Sequence, residues 1–170
     1  MHEDAGDSAA ALAARMRSVV IKKAIYDHDP SNAEAGNQLA STYMALSQGF
    51  HREGQLPEAI RYGRLTVDLR EHLVVTDSLN AIARSQLGEA YLTLARVSFD
   101  HAVQQQTPAP AAARDVIRYF DQGLATMKAL QAEGVAASWF TELARYEEER
   151  AQMAAQLGIQ PVPAAGVDAE

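Results

Sequence analysis

The spacing of apolar residues predicts two antiparallel helices between Ser31 and Leu73. Apolar residues recur here every three or four positions, which places them on one face of an α-helix. The first helix carries Leu39, Tyr43, Leu46 and Phe50, and the second carries Ala59, Ile60, Tyr62, Val67, Leu69 and Leu73. One helical hairpin cannot cover both of these faces, so the pattern predicts neighbouring copies of the hairpin.

Start and stop signals frame the same two helices. Ser31 and Glu34 form the pattern of a capping box, in which each side chain satisfies a backbone N–H of the first turn. Gly54 suits a helix end that needs a positive φ, and Pro57 suits the first turn of the helix that follows. The chain is therefore expected to reverse direction between residues 53 and 57.

The hairpin recurs further along the chain. A shift of about 48 residues superposes the first helix on residues 79–105, and a shift of about 57 superposes the second helix on residues 113–134. The matching pairs are Leu39 with Leu87, Ala40 with Gly88, Tyr43 with Tyr91, Ile60 with Ile117, and Tyr62 with Tyr119. Asp77 and Ser78 are the candidate caps of the repeated first helix. The larger shift indicates an insertion in the proline-containing loop 104–113.

Further helices are predicted over about 8–27 and about 136–157. The sequence thus predicts an all-α fold of antiparallel helical hairpins stacked as an α-solenoid, with about five helices in a domain spanning residues 8–158. Residues 1–7 are expected to be a flexible N-terminus and 159–170 a disordered tail. Trp139 and Phe140 are expected to close the end of the stack, with a ligand-stacking pair as the alternative.

Composition excludes several function classes. The 170 residues carry a net charge of -7, which argues against a nucleic-acid-binding surface. There is no cysteine, and no apolar run approaches the roughly 20 residues of a membrane-spanning helix. We expect a cytoplasmic protein without direct membrane insertion, and an extracytoplasmic location stays open if the chain belongs to a larger membrane protein.

Candidate chemistry is sparse. The five histidines include no pair three or four residues apart, so no metal site and no cofactor are predicted. The densest charge run, Glu147 to Glu149 between Arg145 and Arg150, is expected to be a solvated outer face, in which Arg145 and Glu149 are i,i+4 neighbours. No catalytic residues are proposed, and the sequence does not predict an enzyme.

Several residues resemble the tetratricopeptide repeat (TPR) family, in a long-helix variant, over about residues 30 to 157. Ala40 and Tyr43, then Gly88 and Tyr91, match its small and aromatic positions, and GQLPEAI at 54–60 is similar to its entry into the second helix. The copies are longer than the family's usual repeat of about 34 residues. This resemblance implies a non-catalytic scaffold that binds a protein or peptide.

A narrower resemblance concerns DPSNAEA at 29–35 and REHL at 70–73. These runs are similar to tandem repeats behind the kinase domain of some bacterial serine/threonine protein kinases. That resemblance implies a C-terminal interaction region, because the sequence contains no glycine-rich phosphate loop, no Asp-Phe-Gly and no kinase catalytic loop.

The TPR resemblance also implies which residues line a peptide groove along successive first helices. They are Glu34, Asn37, Ser41 and Met44 from one copy, and Ser85, Glu89 and Leu92 from the next. Met44 and Leu92 would suit a segment with mixed apolar and polar residues. The lysine-rich clamp with which some family members hold a C-terminal carboxylate is not present among them.

Two alternatives to a scaffold remain open at this stage. The chain is a self-associating regulatory module if Val20, Ile21 and Ile25 face solvent, because unmatched apolar faces seek partners and a homo-oligomer would follow. It is a small-molecule or lipid-binding helical bundle, or an enzyme, if the fold encloses a cavity with convergent polar groups.

Overall fold

The computed structural model describes residues 3–106, 108–135 and 142–159, with side chains from residue 9 onward. Six α-helices occupy these ranges: α1 (Glu3–His28), α2 (Ala33–Arg52), α3 (Leu56–Thr76), α4 (Ala81–Gln104), α5 (Pro110–Ala132) and α6 (Leu143–Gln156). The predicted all-α class is confirmed, with six helices in place of about five. Among the described residues, no helix has the length and hydropathy needed to cross a membrane.

Each helix packs against the next one in the chain, from α1 on α2 to α5 on α6. The turn between α2 and α3 is fixed by a buried hydrogen bond in which the Ser47 hydroxyl donates to the Ala59 carbonyl at 2.8 Å. The predicted stack of antiparallel helical hairpins, a solenoid-like arrangement, is confirmed.

Asparagine residues cap the two repeated first helices, not the residues that the sequence pattern suggested. The side-chain oxygens of Asn32 and Asn80 each accept a hydrogen bond of 3.0 Å from the backbone N–H three residues later. The Ser31 hydroxyl instead donates to Asp29, two residues before it. The capping box of Ser31 and Glu34 was therefore wrong, because the N-cap is one residue later, at Asn32, which accepts from the N–H of Ala35.

The corresponding cap in the second copy was also misplaced. Asp77 and Ser78 were the candidates, but Asn80 is the N-cap and its amide nitrogen donates to the Asp77 carboxylate. Asp77 instead follows the last residue of α3.

The predicted turn residues are confirmed. Gly54 and Gly158 have φ values of 70° and 68°, the left-handed region that favours glycine. After Gly54, the Gln55 N–H donates back to the Phe50 carbonyl at 2.9 Å, which satisfies a carbonyl at the end of α2. Pro57 stands in the first turn of α3.

Some helix limits differ from the sequence prediction. Helix α1 begins at Glu3, before the expected start at residue 8, and α5 begins at Pro110. Helix α6 begins at Leu143, and Trp139 and Phe140 lie outside the described residues. Ile159, expected in the tail, packs against a hydrophobic cluster of α4, α5 and α6. Residues 160–170 are also outside the described ranges.

The core runs along the stack as three adjoining clusters. One joins α1, α2 and α3 with a contribution from α4, a second joins α3 to α4, and a third joins α4, α5 and α6. In the first cluster the rings of Phe50 and Tyr62 stack with centroids 5.6 Å apart. Of the apolar residues predicted for the first hairpin, all are buried except Ile60, which is half-buried. Phe120 and Leu46 are among the fully buried side chains.

Helices approach closely where glycine meets a side chain of the neighbouring helix. A Cβ atom at Gly123 of α5 would lie 2.7 Å from Cγ of Leu92 and 3.0 Å from the backbone oxygen of Gly88 on α4. At Gly36 of α2 it would meet the flexible ends of Leu73 and Tyr26. The contact at Gly123 involves backbone, so it has less freedom to relax.

Gly123→Ala is expected to lower the free energy of unfolding by about 1–3 kcal/mol, because the added methyl group forces α4 and α5 apart. Glycine to alanine in a helix interior would otherwise stabilise by roughly 1 kcal/mol, so the sign of the change is diagnostic. Urea denaturation followed by circular dichroism measures it. Gly36→Ala serves as the comparison and should cost less, and an increase in stability at Gly123 would contradict the close approach.

Candidate functional site

Side chains link the first helices of successive hairpins to one another. His51 of α2 lies 2.6 Å from the Asp100 carboxylate of α4, measured between Nε2 and Oδ2. Arg96 of α4 donates two hydrogen bonds to Glu149 of α6 at 2.6 and 2.7 Å. This pairing raises the pKa of Arg96 above its ordinary value. Helices α2, α4 and α6 therefore present a continuous surface.

We name the exposed and half-buried residues of this surface the first-helix face. They are Glu34, Asn37, Gln38, Ser41, Ala45 and Gln48 on α2, Ser85, Gln86, Glu89 and Thr93 on α4, and Arg145, Glu149 and Gln152 on α6. Most of them are uncharged hydrogen-bonding side chains. The face can therefore donate to and accept from the backbone of a bound segment, with few apolar anchors.

A buried arginine organises the centre of the first-helix face. Arg70 projects from α3 and is only 5% exposed. Its Nη1 donates to the amide oxygens of Asn37 on α2 and Gln86 on α4, each at 2.5 Å. Its Nη2 donates to the Ser41 hydroxyl at 3.1 Å. The guanidinium of Arg70 thus links α3 to α2 and α4 and holds three side chains of the face in place.

The hydrogen-bond partners of Arg70 are all uncharged. No carboxylate of the described residues forms an ion pair with it, although Glu89 of α4 acts on it at longer range. Burial lowers the pKa of Arg70, and the negative charge of Glu89 partly opposes that shift. The group stays charged, because an arginine pKa lies far above neutral pH. Its charge makes the bonds to Asn37, Gln86 and Ser41 stronger than neutral ones.

The structure brings most of the predicted groove residues together. Asn37 and Ser41 meet at Arg70, and Glu34 accepts a hydrogen bond of 2.8 Å from Gln38. Ser85 is half-buried and Glu89 is exposed, both on the side of α4 that carries Gln86. These five predicted residues belong to the first-helix face.

The two apolar groove candidates are placed differently. Leu92 is 2% exposed and lies against Gly123 of α5, so its assignment to an accessible groove was wrong. The reason is helical geometry, since Leu92 follows Gly88 by four residues and shares the side of α4 that faces α5. Met44 is half-buried and packs against the cluster of Val67 and Tyr91, which leaves it only partly available.

Arg70 and Gln86 were missed by the sequence reasoning. Arg70 lies three residues after Val67 and three before Leu73, both buried, so its spacing already placed a charge on an apolar stripe. A charge at such a position needs buried partners, which is a signal for a polar network. Gln86 carries no comparable signal, because a glutamine on a helix is ordinary.

The acidic run of α6 is partly engaged with other helices. Glu147 pairs with Lys128 of α5, and Arg150 donates to Asp121 at 2.8 and 3.0 Å. Arg145 and Glu149 do not pair with each other, because Glu149 binds Arg96 and Arg145 donates to Glu142. These ion pairs hold α6 against α4 and α5.

A second polar contact joins α3 to α4. The buried Tyr91 hydroxyl hydrogen-bonds to the Glu71 carboxylate of α3. Burial and the adjacent carboxylate raise the pKa of Tyr91, so it remains a protonated donor at neutral pH. Within the described residues no three His, Asp or Glu side chains are grouped so that they could hold a metal ion.

Comparisons with known proteins gave no match, whether the chain was compared with family models, with curated proteins or with solved structures.

Arg70→Met is expected to lower the free energy of unfolding by about 2 kcal/mol, because it removes charge-assisted bonds to Asn37, Ser41 and Gln86 and leaves their oxygens unpaired. Equilibrium urea unfolding measures the change. Arg64→Met, at an exposed position of the same helix, is the matched control and should stay within about 0.5 kcal/mol of wild type. Equal effects of the two substitutions would contradict the organising role of Arg70.

Proposed function

We propose that this chain is a non-catalytic helical scaffold that binds a segment of a partner protein along the first-helix face. The observation that carries the proposal is the network around Arg70. It holds Asn37, Ser41 and Gln86, which come from two different first helices, in fixed positions before any partner arrives. Side chains fixed in advance lose less conformational entropy on binding, which favours recognition.

The chemistry of the face suggests which segment it binds. Ser41, Thr93 and Gln38 offer donors and acceptors, while Glu34 and Glu89 add exposed negative charge. A polar segment with basic or amide side chains fits this surface better than an apolar one. The mixed apolar and polar ligand expected from the sequence is therefore revised, because Leu92 is buried and Met44 is only partly available.

The resemblance to repeats behind bacterial serine/threonine kinase domains supplies a setting for this scaffold. In that setting the chain would be the interaction region of such a kinase and would bring a substrate or regulator to the catalytic domain. This remains part of the proposal.

Photo-crosslinking in the source cell tests the location of binding. A photoreactive benzoylphenylalanine replaces Gln38 or Glu89 on the first-helix face, and Arg64 or Ala129 as exposed controls on the second helices α3 and α5. We expect the first two positions to form a discrete crosslinked product that mass spectrometry identifies, and the control positions to form none of it. The same product from all four positions, or from the controls alone, would contradict binding at this face.

A second candidate function, self-association, is favoured by the outward surface of α1. Val20, Ile21 and Ile25 are 71%, 65% and 53% exposed, and Met16 is 45% exposed. A shift of about 48 residues superposes Ile21 and Ile25 on Leu69 and Leu73, which are buried in the first core cluster with α2. This face of α1 therefore has the pattern of a surface that another helix covers.

Analytical ultracentrifugation tests self-association. We expect the wild-type mass to rise above 18.4 kDa with concentration, and the double variant Val20→Glu, Ile25→Glu to remain a monomer. The matched control is Val75→Glu, Leu79→Glu. It alters two exposed apolar residues, one at the C-terminal end of α3 and one in the turn that follows. A wild-type chain that stays monomeric at millimolar concentration would contradict this candidate function.

A further inference from the structure

An open groove runs between α5 and α6, away from the residues named as the first-helix face. Its volume is about 470 Å³. Ile117 and Ala125 of α5 and Ile159 after α6 supply its apolar lining. Arg114, Arg118 and Arg150 surround that lining. The groove therefore combines an apolar floor with a positively charged border.

The lining residue Ile117 of α5 corresponds to Ile60 of α3 at the shift of about 57 residues. Ile117 belongs to the buried cluster of α4, α5 and α6, and Ile60 packs against the cluster of Val67 and Tyr91. An amphipathic helix can place its apolar stripe over a groove with such a floor.

An arginine without a paired carboxylate favours an acidic occupant at the groove. Arg150 is neutralised by Asp121, and Arg118 donates to Asp115 at 2.9 Å. Arg114 has no ion pair with any described carboxylate. Among the described residues that line the groove, Arg114 therefore offers a positive charge that a partner's carboxylate can pair with, in a chain whose overall charge is -7. Opposite charge on a partner steers binding to such a patch and fixes its register.

We propose that the α5–α6 groove binds an amphipathic helix of a partner protein, one that carries Asp or Glu beside its apolar stripe. The apolar stripe contacts Ile117, Ala125 and Ile159. An acidic residue faces Arg114, which borders the groove. This surface differs from the first-helix face in position and in the sign of its charge, so the chain offers two binding surfaces with different preferences.

Selection from a phage-displayed library of random 16-residue peptides against the full chain tests this proposal. We expect the selected peptides to combine apolar residues at helical spacing with an excess of Asp and Glu. Their affinity, measured by fluorescence anisotropy with synthetic peptides, should fall at least about tenfold in the double variant Arg114→Glu, Arg118→Glu and should fall at high salt.

Matched variants decide between the outcomes. Arg61→Glu with Arg64→Glu makes the same charge change on α3, and we expect it to leave the affinity unchanged. Selected peptides without acidic residues, or an equal loss of affinity in both double variants, would overturn the proposal. Loss of affinity only in Gln38→Arg, Glu89→Arg would assign the peptides to the first-helix face, which overturns this proposal and supports the scaffold function. Binding that appears only after Asp168→Asn and Glu170→Gln would assign the groove to the chain's own residues 160–170 and would also overturn it.

Discussion

Close approach between neighbouring helices is the constraint on which this stack depends. Gly36 lies against Leu73 and Tyr26. Leu94 packs against Gly63, and Leu92 packs against Gly123. At each of these positions a leucine of the adjacent helix occupies the space where a Cβ atom would otherwise stand. Because long helices meet along their whole length, a small displacement at one contact would separate the apolar residues on either side of it. The glycines therefore set the distance at which the core clusters form, despite the low helix propensity of glycine.

That close approach explains why a charged residue can serve as a structural centre. Arg70 reaches from α3 to α2 and α4 because the three helices converge around it. In a looser stack the guanidinium would be hydrated and its partners would move independently. Burial makes the group costly to leave unpaired, so the structure that satisfies it is strongly preferred over alternatives. The same network that stabilises the stack thus orders the side chains of the first-helix face.

The sequence was a good guide wherever local periodicity determined the outcome. Leu39 and Tyr43 are buried as their spacing predicts, and Gly54 ends α2 with a positive φ. It was a poorer guide where neighbouring groups compete. Ser31 and Asn32 are both good N-caps, and in the structure Ser31 bonds to Asp29 while Asn32 caps α2. Periodicity alone did not reveal the network of Arg70. Its partners are distant in sequence, and each is an uncharged polar residue of a kind common on helix surfaces.

Leu92 illustrates a further limit of arguing from a repeat pattern. Its position one turn after the small residue suggested a groove, yet the same turn carries it toward Gly123. The direction of a side chain depends on the rotation of the whole helix about its axis, and that rotation is set by partners beyond the local motif. Ser85 and Glu89 remain accessible, the first half-buried and the second exposed.

The two ends of the described stack differ in the surfaces that they present. Helix α1 leaves Val20, Ile21 and Ile25 exposed, whereas the described part of α6 exposes no large apolar side chain. In helical arrays a polar outer face is typical of a capping helix, and an apolar one is typical of a helix that another element covers. The exposed residues of α6 thus offer little apolar surface for another helix to cover. The α1 end, in contrast, gains stability from any partner that removes its apolar residues from water.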